Sequence, residues 1–180
     1  DSLHLNRVYK YEKLLRQRRK ILMQSKSDKT WLDAIERQIT ELSVAIVASR
    51  LEMVEALNDL YNKELNDNYV IDNFPPADIK LAGKIEELLI KKPASEVEGH
   101  IKDNLKKSRF SEEENIFGPH KTIIEIFNRK NNKNANYAST GEQKLLLISI
   151  ILSHARMLNK NFNMAPILLL DDIVEHLDKK

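Results

Sequence analysis

Apolar residues recur at three- and four-residue steps through most of the first hundred positions, the spacing of helices with one buried face. Leu5, Val8, Tyr9, Leu15 and Leu22 predict a helix over residues 4–24. The polar turn Ser25-Lys26-Ser27-Asp28-Lys29 follows, with Asp28 placed to cap the next helix. That helix should run from Trp31 to Asn66, carried by Trp31, Ile35, Ile39, Leu42, Ile46, Met53, Leu57, Leu60 and Tyr61. So short a connection makes the two an antiparallel pair, with Trp31 expected in its core rather than as a base-stacking platform. Tyr69-Val70-Ile71 reads as a short strand ended by Pro75-Pro76. Helices over Leu81–Lys92 and Ser95–Arg109 follow, separated by Pro93, and Glu112-Glu113-Glu114 reads as a solvated turn.

The pattern then changes. Thr122–Phe127 is a strand, and the Asn- and Lys-rich stretch Asn128–Asn136 a surface loop or hairpin tip. Ser139 and Glu142 have the spacing of a reciprocal capping box, so a helix starts at Thr140 or Gly141. Leu145, Leu146, Leu147, Ile148, Ile150, Ile151 and Leu152 leave that helix almost no polar face, which predicts burial all round. Ile167–Leu170 is a continuous apolar run of strand length ending in Asp171-Asp172, followed by the acidic loop Glu175-His176-Leu177-Asp178.

Composition narrows the classes. A chain of 180 residues with 42% hydrophobic and 31% charged positions can bury a core. Without cysteine it can form neither disulfides nor thiolate metal sites. Its five histidines have no ligand spacing, and no stretch has the length of a membrane span or the form of a signal peptide. The net charge of +2 leaves any nucleic-acid affinity to local patches. Two patches qualify: Arg16, Arg18 and Arg19 on the first helix, and Lys106 and Lys107 on the fourth. The first reads equally as a DNA-backbone contact or as a face that is solvated or pairs with nearby acidic residues, and the second equally as a DNA contact or a solvated face.

The chemistry concentrates between Ser139 and Asp178. An uncovered helix N-terminus with a hydroxyl and a glycine beside it accepts phosphate oxygens, although most capping boxes only start helices. Carboxylates at the end of a central strand suit a metal ion and an attacking water, although an Asp pair there is also a common turn. The order of capped turn, apolar helix, strand and Asp-Asp within forty residues is more specific than either half.

This order resembles the signature motif, Walker B strand and D-loop of an ABC-type ATPase head, in the variant of the RecF family. Ser139-Thr140-Gly141-Glu142-Gln143-Lys144 matches the signature, Leu168-Leu169-Leu170-Asp171 the Walker B strand, and Glu175-His176-Leu177-Asp178 the D-loop. Gly118-Pro119-His120-Lys121 resembles a Gly-Pro-His-Arg segment of the same family. The resemblance implies an α/β fragment of an ATPase head, mostly helical, with a helical lobe over 1–110 and the head portion over 111–180. It implies ATP and Mg²⁺ as cofactors, with Asp171 holding the metal through water and Asp172 acting on the attacking water. Ser139, Thr140, Gly141 and Glu142 would meet the nucleotide of a second subunit.

As partners it implies gapped, single- and double-stranded DNA, RecR, and a second copy joined in an ATP-dependent homodimer, in a cytoplasmic protein of recombinational repair. Two departures bear on activity: Asp172 stands where most such ATPases have glutamate, and Thr140 replaces the first signature glycine. No Gly-x-x-x-x-Gly-Lys-[Ser/Thr] phosphate loop is present, so the expectation is a piece of a longer ATPase, inactive alone. An SMC-like head fragment and a non-catalytic helical interaction module stay open beside this reading.

Overall fold

The computed structural model describes residues 2–24, 28–66, 74–110, 117–162 and 165–169. The elements run α1 (Ser2–Leu22), α2 (Lys29–Asn66), β1 (Ala77–Ala82), α3 (Lys84–Lys91), α4 (Ala94–Lys107), β2 (Ile123–Asn128), β3 (Lys133–Asn134) and α5 (Thr140–Phe162). The chain divides into two compact units, 1–52 with 81–123 and 53–80 with 124–180. The units interleave along the chain, and one cause is the uninterrupted helix α2, which belongs to both; a boundary inside a continuous helix leaves no Gly, Pro or polar cluster to mark it.

In the first unit α1 and α2 are antiparallel. Arg18 meets Glu36, while the earlier Arg7 reaches the later Ser49 (3.1 Å). The connection ends as expected: Asp28 Oδ1 accepts from the N–H groups of Thr30 (2.9 Å) and Trp31 (3.2 Å), satisfying two orphan donors of the first turn. The buried seam holds Tyr11, Leu14, Ile35, Ile39, Ile46 and Val47, closed by Ile85 of α3 and Val97, Ile101 and Leu105 of α4. Two hydroxyls on the buried side of α2 bond within their own helix: Thr40 to the Glu36 carbonyl (2.8 Å) and Ser43 to that of Ile39 (2.7 Å).

The predicted face of α1 holds in part: Val8 and Leu15 pack against the core, whereas Leu5 and Tyr9 are exposed, and Tyr11, Leu14 and Arg18 are buried. On α2, Trp31 and Met53 are likewise exposed. Trp31 lies in the first helical turn, where no preceding turn of the helix is available to cover it.

In the second unit the sheet order is β1-β2-β3, and β2 and β3 form an antiparallel hairpin with Phe127 opposite Asn134 and Asn128 opposite Lys133. Its tip uses the expected asparagines. Asn128 and Asn131 side chains accept from the N–H groups two residues on, and Asn132 takes a left-handed φ of 54°, which asparagine tolerates. Strand β1 was not anticipated: helix was expected from Leu81, and the strand predicted at Tyr69–Ile71 lies outside the described residues. The small core joins Tyr61, Ala77 and Leu146, with Ile126 and Ile150 packed against it. Tyr61 Oη and Ser149 Oγ are 3.1 Å apart within it.

Two expectations about the apolar run are corrected. Helix α5 is buried on one side only: Leu146, Ile148, Ser149 and Ser153 are covered, while Leu147 is 55% exposed. Ile167, Leu168 and Leu169 form no strand and are exposed. A strand exists only through a hydrogen-bonded neighbour, and among the described residues none pairs with this run.

Candidate functional site: the capped head of α5 and the basic faces

The turn before α5 forms the reciprocal box its spacing predicts. Ser139 N–H donates to Glu142 Oε2 (2.8 Å), and Glu142 N–H donates to Ser139 Oγ (3.3 Å). Lys133, from the end of the β2–β3 hairpin, adds an ammonium to the same Glu142 oxygen at 3.2 Å. The Ser139 backbone donor first, and Lys133 after it, hold the Glu142 carboxyl below the usual carboxylate range. Ser139 and Thr140 are exposed, and a Cβ on Gly141 would meet nothing within 4 Å. The start of the helix, where its dipole is positive, is therefore exposed at Ser139 and Thr140 and has free space at Gly141.

Asp171, Asp172, Glu175, His176, Leu177 and Asp178 lie outside the described residues. Among those described, no group of three or more His, Cys, Asp or Glu side chains has the form of a metal site. No described helix is long and apolar enough to cross a membrane.

The basic residues separate into two kinds. Arg16, Arg19, Lys106 and Lys107 are exposed. Arg18 is 1% exposed and leaves the candidate DNA face altogether. Its Nε donates to Glu36 Oε1 (2.9 Å) and its Nη2 to the Leu105 carbonyl (2.8 Å) and Ser108 Oγ (2.9 Å). Arg109 completes the cluster from the other side: Nε reaches both Glu36 oxygens (3.0 and 3.1 Å), and Nη2 engages Glu36 and Asp33. The hydrogen bond from Arg109 lowers the Asp33 carboxyl, and Glu36 raises the Arg109 guanidinium. Nothing in the local sequence separates the inward Arg18 from its outward neighbours, because its partners come from 18 to 90 residues away.

The Gly118-Pro119-His120-Lys121 segment is a short 3-10 turn fastened to the helix pair. Tyr11 Oη lies 2.7 Å from His120 Nδ1, and Arg50 Nη1 donates to the Pro119 carbonyl (2.6 Å) and Thr122 Oγ1 (3.3 Å). Thr122 in turn donates to the buried Glu86 (2.5 Å). A Cβ on Gly118 would overlap the Tyr11 hydroxyl, so this position needs glycine for close approach rather than for its dihedral angles.

With this geometry, the comparisons are specific. No family model matches the chain. The fold is shared with solved RecF structures at 20% identity. One, described as the recombination mediator protein RecF-ATPrS in the RecFOR pathway, superposes with a TM-score of 0.75 over 99% of this chain and 48% of that one. The corresponding RecF-ATP structure gives 0.72. The fold is thus that of about half of a RecF chain, mostly helical with a small sheet.

In sequence, the chain is homologous to the DNA replication and repair protein RecF over 99% of its length. It is 39% identical to that of Mesorhizobium japonicum, 37% to that of Brucella abortus and 34% to that of Rhizobium etli. The chain spans about half the length of the curated relatives it matches.

Proposed function

We propose that this chain is the signature-bearing portion of a RecF-like ATPase that clamps DNA during recombinational repair. The observation that carries the reading is the exposed capping box at the head of α5. Its open Gly141 and exposed Ser139 fit a phosphate presented by a second subunit. Ser139, Thr140 and the N–H groups near Gly141 would bind the terminal phosphate of ATP held by the partner copy. Asp171 would hold Mg²⁺ through water and Asp172 orient the attacking water of this subunit's own site, with Glu175–Asp178 as the D-loop. ATP supplies binding energy that differs between joined and separate subunits, so it drives dimerisation, and hydrolysis reverses it. Gapped DNA and RecR are the partners of this reading, in a cytoplasmic protein. Arg16, Arg19, Lys106 and Lys107 are its candidate phosphate contacts.

The test is a Mg-ATP titration of this chain alone and of the protein extended by its upstream coding region, followed by Ser139→Arg. Binding only in the longer protein, with Ser139→Arg retaining ATP yet failing to dimerise in sedimentation, is expected. Dimerisation of Ser139→Arg equal to the parent would return the box to a plain helix cap.

A further inference from the structure

Helices α1 and α2 leave a groove of about 430 Å³ beside their connection. Leu14, Ala34 and Ile35 line it together with Gln17 of α1, Gln38 of α2 and Trp31, so two glutamines and a tryptophan border one space. Trp31 is 59% exposed, a large aromatic surface left in water at a groove rather than packed into the adjacent core. On α1, Lys10, Lys13, Gln17 and Lys20 follow one another at steps of three, four and three, which puts the lysines on the same flank of the helix as Gln17. All three lysines are exposed. On α2, Glu41 follows the lining residue Gln38 at a step of three and is exposed, and Asp28 in the lining is committed to its capping bonds.

We propose that this groove is a nucleobase site for single-stranded nucleic acid. A base stacks on Trp31, its edge meets the Gln17 and Gln38 carboxamides, and the backbone follows the Lys10–Lys13–Lys20 flank. The combination favours this occupant over an apolar peptide. An exposed aromatic face tolerates any base, carboxamides offer donors and acceptors together, and a row of cations tracks a phosphate chain. The site deepens the proposed DNA reading and rests on it. It also supplies what Arg16 and Arg19 alone do not, a means of telling an unpaired base from a duplex.

Trp31 is the sole tryptophan of the sequence, so its fluorescence reports on this groove directly. Titration with oligothymidylate is expected to quench it to saturation, while heparin leaves it nearly unchanged. In anisotropy with a labelled oligothymidylate, Trp31→Ala should bind about tenfold more weakly, the loss of one base–aromatic stack. Trp31→Phe should recover most of that loss, and Lys13→Glu with Lys20→Glu should flatten the salt dependence. If the oligonucleotide binds parent and Trp31→Ala alike with unchanged fluorescence, the groove proposal fails and the DNA reading stands. If no oligonucleotide binds, single-stranded or duplex, both fail. Equal quenching by heparin, or quenching only by an acidic amphipathic peptide, would also overturn the nucleobase site.

Discussion

Glu36→Ala should be among the most damaging substitutions in this chain. Glu36 is 2% exposed and is the counter-charge for two guanidiniums: Arg18, itself 1% exposed, and Arg109. Removing the carboxylate leaves Arg18 buried with, among the described residues, the Leu105 carbonyl and Ser108 hydroxyl as acceptors, neither of which is charged. Breaking a buried pair from one side costs about 3–5 kcal/mol. That is a large fraction of the ~5–15 kcal/mol by which domains of this size are stable. Arg18→Ala should cost less, because Arg109 still neutralises Glu36. Arg18→Met with Glu36→Leu should cost less than Glu36→Ala alone, since an apolar pair of similar volume avoids the stranded charge. Urea unfolding followed by circular dichroism measures all three. A Glu36→Ala loss under about 1 kcal/mol, or a double variant weaker than Glu36→Ala, would refute the argument.

Three further outcomes are expected. Gly118→Ala should destabilise by ~1–3 kcal/mol through overlap with the Tyr11 hydroxyl, and less in a Tyr11→Phe background; additive losses in a thermal-melt cycle would contradict that contact. Leu146→Ala should cost ~2–5 kcal/mol while Leu147→Ala stays within about 0.5, and equal losses would mean that α5 is buried all round after all. The Glu142 carboxyl should titrate below an ordinary glutamate in side-chain NMR, and Lys133→Met should raise it part of the way back. Because folding lowers that pKa, the cap's contribution is complete above the unfolded-chain value and is lost as pH falls through the folded one. Helix α5 should therefore fray from its start only in acid; fraying that begins near neutral pH would contradict the assignment.

The features legible in the sequence were those whose partners lie within a few residues. Asp28 caps α2, Ser139 and Glu142 cap each other, and Asn128, Asn131 and Asn132 shape the hairpin tip, all through bonds spanning two or three positions or a local dihedral angle. The illegible features depend on distant segments. Arg18 turned inward because Glu36, Leu105 and Ser108 meet it there, while Arg16 and Arg19 in the same basic run stayed out. Strand β1 has only Ala77 and Ile79 as buried alternating positions, and its sheet neighbour β2 lies more than forty residues later. The capping box at Ser139 could be read directly, but openness at Gly141 and the engagement of Lys133 required the hairpin to be placed.

The seam between α1 and α2 has a consequence for register. Apart from Tyr11, its apolar residues are mostly Leu, Ile and Val and repeat with the helical turn, so sliding one helix by a turn, about 5.4 Å, would still bury many of them against one another. Thr40 does not oppose such a slide, because its hydroxyl bonds to its own helix. Arg18 does oppose it. One turn out of place, its guanidinium would lie in the same apolar seam away from Glu36, at a cost of several kcal/mol. A pair of helices that apolar contacts alone would leave nearly degenerate is thereby restricted to one alignment, and that alignment sets which residues of each helix border the groove at Trp31.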